Sequence, residues 1–270
     1  MLTKLIKYEF KSTSRIMWFL YGALIVVGGL LGLTLRVNSD IFNPYYSYSE
    51  TSNTVFSILF GSLTLIYILM LQAVVIMTAI MIITRFNKNL LGDEGYLMHV
   101  LPVKTHQLIT SKIVIAMLWG VIAAVSAFFS IILLSITSGF MGFLFEEYSL
   151  TEILDWIVHG FTLDTFLFIV MLILVSITSI LEFYFAMAVG NLANKNKFLY
   201  AVLTYIGIQV ILSILTTILA FNSGGSLVEV LIYEDTMQPY LINTIIQSLV
   251  LGSGLFYGTN YILKNKLNLA

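Results

Sequence analysis

Residues 55–84, VFSILFGSLTLIYILMLQAVVIMTAIMIIT, contain no charged side chain and form the stretch that decides the fold. A helix that crosses a bilayer needs about 20 predominantly apolar residues, and this run exceeds that length. The chain around it has 270 residues, of which 59% are hydrophobic and 10% charged. Soluble domains carry roughly 25% charged residues, so the composition and the run together predict a membrane protein.

Five more apolar runs lie outward from this one along the chain. The six predicted spans are 16–35, 55–84, 113–137, 161–190, 198–221 and 240–263. These runs are continuously apolar, whereas the strands of a membrane barrel alternate apolar and polar residues over about 10 positions. Hydrocarbon does not tolerate unpaired backbone polar groups, so helices remain. We therefore expect an all-α membrane protein, organised as one transmembrane domain over residues 1–270.

Residues 1–15 combine basic and apolar side chains at helical spacing. The basic side is formed by Lys4, Lys7, Lys11 and Arg15, and the apolar side by Leu2, Leu5, Ile6 and Phe10. This pattern is typical of a helix that lies in the membrane surface, where positive charge favours anionic lipid. The simpler alternative is the basic flank of a membrane anchor.

The basic residues also predict the orientation of the chain, because Lys and Arg near span ends resist translocation. Of the thirteen Lys and Arg residues, only Arg36 falls in a loop on the predicted outer side. The twelve on the other side are Lys4, Lys7, Lys11, Arg15, Arg85, Lys88, Lys104, Lys112, Lys195, Lys197, Lys264 and Lys266. We expect a multi-pass protein of the cell membrane with both termini cytoplasmic.

A polar segment, residues 85–112, separates spans two and three. Its central part, residues 90–112, reads LLGDEGYLMHVLPVKTHQLITSK. Pro102 prevents one continuous helix, and the acidic pair before Tyr96 and Leu97 favours a short helix with an apolar surface. Two interpretations remain open at this point: a solvated loop with an interfacial helix, or a surface on which a partner docks.

These features, in this order, resemble the permease subunits of ABC-2 type transporters, particularly those of Gram-positive antibiotic, lantibiotic and peptide exporters. The layout covers the whole chain, and the motif GDEGYL, LPV and LITSK lies within residues 92–112. The resemblance implies a bacterial plasma membrane, a connecting helix at residues 1–15 and a coupling helix within 85–112 that docks on an ATPase. It implies that the coupling region includes Asp93, Glu94, Gly95, Tyr96, Leu97 and Pro102.

The chain contains no G-x-x-x-x-G-K-[ST] motif, and its predicted cytoplasmic loops are too short for a nucleotide-binding domain. We therefore expect no enzymatic activity and no cofactor on this chain, with ATP and Mg²⁺ held by a separate ABC ATPase subunit. The resemblance also implies a second permease subunit, identical or not. Membrane lipid is a further expected partner, and nucleic acid is not.

The sequence contains no complete pattern for an enzyme or metal site. Glu146 and Glu147 begin an E-E-x-x-x-R pattern of membrane proteases, but Thr151 stands where the pattern needs Arg. The three histidines are His99, His106 and His159. They are divided between the two predicted sides of the membrane, so they cannot form one metal site. We expect neither catalytic residues nor metal ligands.

Glu182 is an acidic residue placed in the interior of a predicted span, 161–190. A carboxylate in lipid costs a few kcal/mol, so it should face a cavity or another helix, either as a structural pair or as part of a transport path.

The predicted function is an ABC exporter permease that moves an amphipathic peptide, antibiotic or lipid-like molecule outward. The alternatives are a secondary transporter and a membrane scaffold or sensor that transports nothing.

Overall fold

The computed structural model describes residues 2–41, 50–92, 104–142, 148–193, 195–222 and 237–266. Helix dominates these residues, and no strand occurs among them. The main α-helices are α1 (Leu2–Ile41), α2 (Glu50–Phe86), α3 (Thr105–Ser138), α4 (Leu150–His159), α5 (Leu163–Gly190), α6 (Lys197–Asn222) and α7 (Met237–Asn265). A π-helical turn, Asn87–Leu91, continues α2.

All six predicted spans coincide with helices that are long and apolar enough to cross a membrane. Their apolar parts are Ile6–Val37, Ser57–Leu91, Thr105–Ser138, Leu163–Gly190, Lys197–Ile218 and Gln238–Asn265. The prediction of an all-helical chain with six such helices is confirmed, and the structure fits a multi-pass membrane protein. The shorter α4 lies in one of the loops predicted to be external, where Ser149 and Glu152 form a reciprocal capping box.

The first helix is longer than the membrane requires. With 40 residues, α1 is about 60 Å long, roughly twice the thickness of the hydrocarbon core. It is continuous from Leu2 to Ile41, so residues 2–15 and the first span belong to one helix. Lys7, Lys11 and Arg15 are exposed. The placement of residues 1–15 in the membrane surface stays a prediction.

The chain divides into two compact units. The first comprises the described residues of Met1–Ile6, Ile82–Met117 and Ile157–Ala270, and the second those of Lys7–Met81 and Leu118–Trp156. The boundaries fall inside α1, α2, α3 and α4, so the units share helices rather than being joined by linkers.

In the second unit, small residues let α1 approach α3 closely. A Cβ at Gly28 would collide with the Ser130 side chain, and one at Gly32 would collide with Thr137 and the carbonyl of Leu134. Glycine permits such contact because nothing projects from its Cα, and close contact drives helix association in membranes. The Gly28-x-x-x-Gly32 pattern therefore packs within the chain.

Buried hydroxyl groups connect α1, α2 and α3 within this unit. The Tyr21 hydroxyl of α1 lies 3.3 Å from Thr78 Oγ1 of α2. From α3, Ser130 lies within hydrogen-bonding distance of the Leu24 carbonyl at 3.2 Å and of the Tyr67 hydroxyl at 3.1 Å. In hydrocarbon each polar group needs such a partner, so these bonds fix how the helices pack.

In the first unit, α5 packs against several other elements. The Tyr184 ring stacks on Phe86 with 4.0 Å between ring centroids. Thr178 donates a 3.1 Å hydrogen bond to the Ser248 carbonyl of α7, and Gly190 approaches the backbone of α6 at Ala201. The cytoplasmic half of α5, as the predicted orientation places it, is consequently buried on several sides.

Candidate functional site

The intramembrane acid predicted from the sequence has a specific partner. Glu182 lies on α5 with 6% of its surface exposed, and its Oε2 accepts a 2.8 Å hydrogen bond from Gln209 Nε2 on α6. Glu182 precedes the end of α5 at Gly190 by eight residues, or about 12 Å along the helix. The carboxyl group therefore lies inside the apolar stretch and is bonded across two neighbouring helices.

Aromatic rings flank this pair. Phe183 of α5 stacks on Tyr205 of α6, with ring centroids 4.7 Å apart and ring planes 9° from parallel. Tyr205 is one turn before Gln209 on the same helix, and the two side chains interact. We refer to Glu182, Phe183, Tyr205 and Gln209 as the polar cluster.

The helical hairpin around the polar cluster is tightly closed at one end. A Cβ at Gly190 would lie 2.6 Å from Ala201 Cβ and 2.7 Å from the Lys197 carbonyl oxygen. The turn between the helices ends at Asn196, whose φ of 55° lies in the left-handed region that Asn tolerates better than most residues. This closure holds α5 and α6 side by side, so that residues 182 and 209 face each other.

Gln209 and Tyr205 are not among the site residues predicted from the sequence. An amide within the predicted span 198–221 was the available signal, because polar side chains in membrane helices commonly hydrogen-bond across to a neighbouring helix. An amide in a span does not identify its own hydrogen-bond partner, because the residue that faces it depends on how both helices are rotated about their axes.

The polar cluster combines hydrogen-bond acceptors with one group that can carry a negative charge. Its oxygen atoms come from one carboxyl, one amide and one phenol group, and a stacked aromatic pair adjoins them. No group of three or more His, Cys, Asp or Glu residues suited to a metal ion occurs in the described parts of the chain. The arrangement can accept hydrogen bonds and balance one positive charge, but it offers no nucleophile paired with a base.

The six residues predicted to couple to an ATPase, Asp93, Glu94, Gly95, Tyr96, Leu97 and Pro102, lie outside the described residues. Both flanks of the predicted 85–112 segment are described, however. Leu90 and Leu91 on the π-helical side pack in one buried core with Leu108 and Ile109 on the α3 side. The segment is thus anchored in the same core at both of its ends.

The α5 helix contributes to this core as well. Ile180, Leu181 and Tyr184 belong to it, together with Phe86 and, from α7, Leu263. Phe86 and Leu90 are completely buried. Tyr184 follows Glu182 by two residues, so the residues beside the polar cluster and the two flanks of the 85–112 segment belong to one packed body.

α3 begins within the predicted polar segment. Thr105 is its first helical residue, and the Lys104 carbonyl accepts the first bonds from Gln107 and Leu108. Lys112, one of the twelve basic residues used for orientation, is only 3% exposed. Its charge lies within the protein, so it contributes less to the basic surface than Lys88 or Lys104, which are exposed.

Comparison of the sequence with models of known protein families finds no match, and neither curated proteins nor solved structures match the chain. The class of protein that the fold defines is an α-helical protein whose described residues form six helices able to span a membrane.

Proposed function

We propose that this chain is the membrane-spanning permease subunit of an ABC exporter, which moves an amphipathic peptide, antibiotic or lipid-like molecule outward. A separate ATPase subunit binds ATP and Mg²⁺, and a second permease subunit, identical or not, completes the transporter. In this proposal the chain lies in a bacterial plasma membrane with both termini and residues 85–112 in the cytoplasm.

One observation carries the proposal: the polar 85–112 segment joins two membrane-length helices and is held at both ends in a buried core. A segment that transmits force from an ATPase must be anchored to the helices it moves, because a freely moving loop would absorb the displacement. The packing of Leu90 and Leu91 with Leu108 and Ile109 supplies such an anchor. The resemblance of residues 92–112 to ABC-2 permeases supports the same role.

The test is a double substitution in the predicted coupling helix. Tyr96→Ala with Leu97→Ala should release the proposed ATPase subunit, because a few apolar anchors carry most of the energy when a helix docks in a groove. We expect the affinity to fall by at least about tenfold, measured by co-purification from membranes. The six spans should still insert.

The matched control is Phe198→Ala with Leu199→Ala, an aromatic and a leucine side by side at the start of α6. Both side chains are exposed, Phe198 by 77% and Leu199 by 53%, so their loss should leave the complex intact. If the Tyr96 and Leu97 variant keeps a stable complex and full transport, the coupling assignment is wrong. If no ATPase co-purifies with the unaltered chain, the exporter proposal is wrong.

A secondary transporter is the second candidate, and the hydrogen-bonded Glu182 within α5 favours it. Such transporters use ionisable residues inside the membrane to bind their coupling ions. Transport by vesicles that contain this chain alone, driven by an ion gradient and insensitive to ATP depletion, would support this alternative over the exporter.

A further inference from the structure

The Glu182 carboxyl group faces a neutral hydrogen-bond partner. Among the residues that the structure describes, that partner is Gln209, which donates to Oε2 and carries no charge. Glu182 is nevertheless buried, with 6% of its surface exposed. An unpaired carboxylate in hydrocarbon costs free energy, and a bound group with one positive charge lowers that cost.

The surroundings of Glu182 indicate what kind of cation fits. Inorganic cations such as Ca²⁺ and Mg²⁺ take six or more oxygen ligands, and here a single carboxylate is combined with one amide and one phenol. The Phe183 and Tyr205 rings instead provide aromatic surface beside the charge. Aromatic rings attract organic ammonium groups, most strongly where water is excluded.

We propose that the polar cluster binds the ammonium group of an organic cation. The Glu182 carboxylate neutralises its charge, Gln209 holds the carboxylate in position, and the Tyr205 ring contacts the alkyl groups around the nitrogen. That this cation is the cargo rests on the proposed transport function, whereas the binding itself does not. The apolar surroundings select a cation with a hydrophobic body, which enters from the lipid.

The test uses the purified full-length chain in lipid nanodiscs, without any ATPase. Dicyclohexylcarbodiimide adds the O–H of a carboxyl group in an apolar site across its C=N bond, and rearrangement leaves a stable N-acylurea that mass spectrometry detects. We expect labelling at Glu182. Benzyltrimethylammonium should slow that labelling at least about tenfold, and neopentylbenzene, its neutral isostere, should not.

Two variants define the site. Gln209→Leu and Tyr205→Leu should each raise the concentration of benzyltrimethylammonium that gives half-protection by about tenfold. The control is Asp164→Asn, on the same helix but 18 residues and about 27 Å away. In this variant benzyltrimethylammonium should protect Glu182 as well as it does in the unaltered chain.

Several outcomes would overturn the proposal, and the unaltered chain alone can give them. They are an unlabelled Glu182, equal protection by neopentylbenzene, or protection by sodium chloride at the same concentration, since the last would indicate an inorganic cation site. Binding of the ammonium compound without any effect on ATP hydrolysis in the reconstituted complex would leave the site intact and contradict its role in cargo transport.

Discussion

The indole Nε1 of Trp119 donates a 2.9 Å hydrogen bond to Thr13 Oγ1, although the two residues are 106 positions apart in the chain. Phe10 stacks on the same indole with 4.8 Å between ring centroids. Both Phe10 and Thr13 belong to the stretch 1–15, which is predicted to lie in the membrane surface. The contact therefore fastens the predicted surface segment of α1 directly to α3.

Trp119→Phe tests the strength of this contact. The Trp119 side chain is completely buried, and phenylalanine keeps most of its apolar surface but cannot donate the hydrogen bond. We expect a loss of about 1 kcal/mol in stability, the usual size of such bonds in membrane proteins. Trp119→Ala should cost about 3–5 kcal/mol, because it also leaves a cavity.

Thermal unfolding of the detergent-solubilised protein measures both losses. Trp18→Phe is the matched control, since Trp18 is 58% exposed on α1 and should tolerate the change. Equal losses for Trp18→Phe and Trp119→Phe would contradict a specific role for the Thr13 contact.

Gly32→Ala and Gly22→Ala test the close approach of α1 and α3. A Cβ at Gly32 would collide with Thr137 and the backbone of Leu134, which cannot rotate away, so the variant should lose about 1–3 kcal/mol. A Cβ at Gly22 on the same helix meets no atom within 4 Å, and alanine there should be neutral or stabilising by up to about 1 kcal/mol. A comparison of the two melting temperatures checks the prediction, and a tolerated Gly32→Ala would refute it.

The helices themselves could be predicted from sequence because their length is set by the bilayer. Residues 55–84 are longer than the apolar run that a membrane-spanning helix requires, and α2 contains all of them. The packing could not be predicted, because these runs are apolar on all sides and no face is marked as buried. Gly254-x-x-x-Gly258 illustrates the limit: Gly258 faces Phe185 closely, whereas a Cβ at Gly254 meets nothing within 4 Å.

The candidate site was predictable only in part for a related reason. Glu182 stands out in the sequence because an acid within a span is rare. Its partner Gln209 depends on the antiparallel register of α5 and α6, which the left-handed backbone of Asn196 and the contact of Gly190 with Ala201 determine. Neither the turn geometry nor the register follows from apolar patterning.

Single cysteines can test the predicted topology, because the chain contains no cysteine. We expect Ser149→Cys and Ser226→Cys to react with a membrane-impermeant thiol reagent in intact cells, since both positions lie in predicted external loops. His99→Cys should react only after the cells are opened, because basic residues keep its loop in the cytoplasm. Labelling of His99→Cys in intact cells, with Ser149→Cys protected, would reverse the orientation.

The Glu182 and Gln209 pair can be dissected by a double-mutant cycle that measures stability without any ligand. Gln209→Leu removes the only described donor to a buried carboxyl group, so we expect it to destabilise the protein by about 1–2 kcal/mol. Glu182→Leu removes the carboxyl acceptor of the Gln209 amide and should cost a similar amount. The double variant replaces both polar groups with apolar ones and should be less destabilised than the sum of the single changes, because neither member of the pair is left without the other. Glu182→Gln, which still accepts a hydrogen bond, should lie within about 0.5 kcal/mol of the unaltered protein in stability.

Thermal unfolding of the four variants in one detergent measures these stability changes. Strictly additive losses would mean that residues 182 and 209 do not interact, and the polar cluster would have to be abandoned.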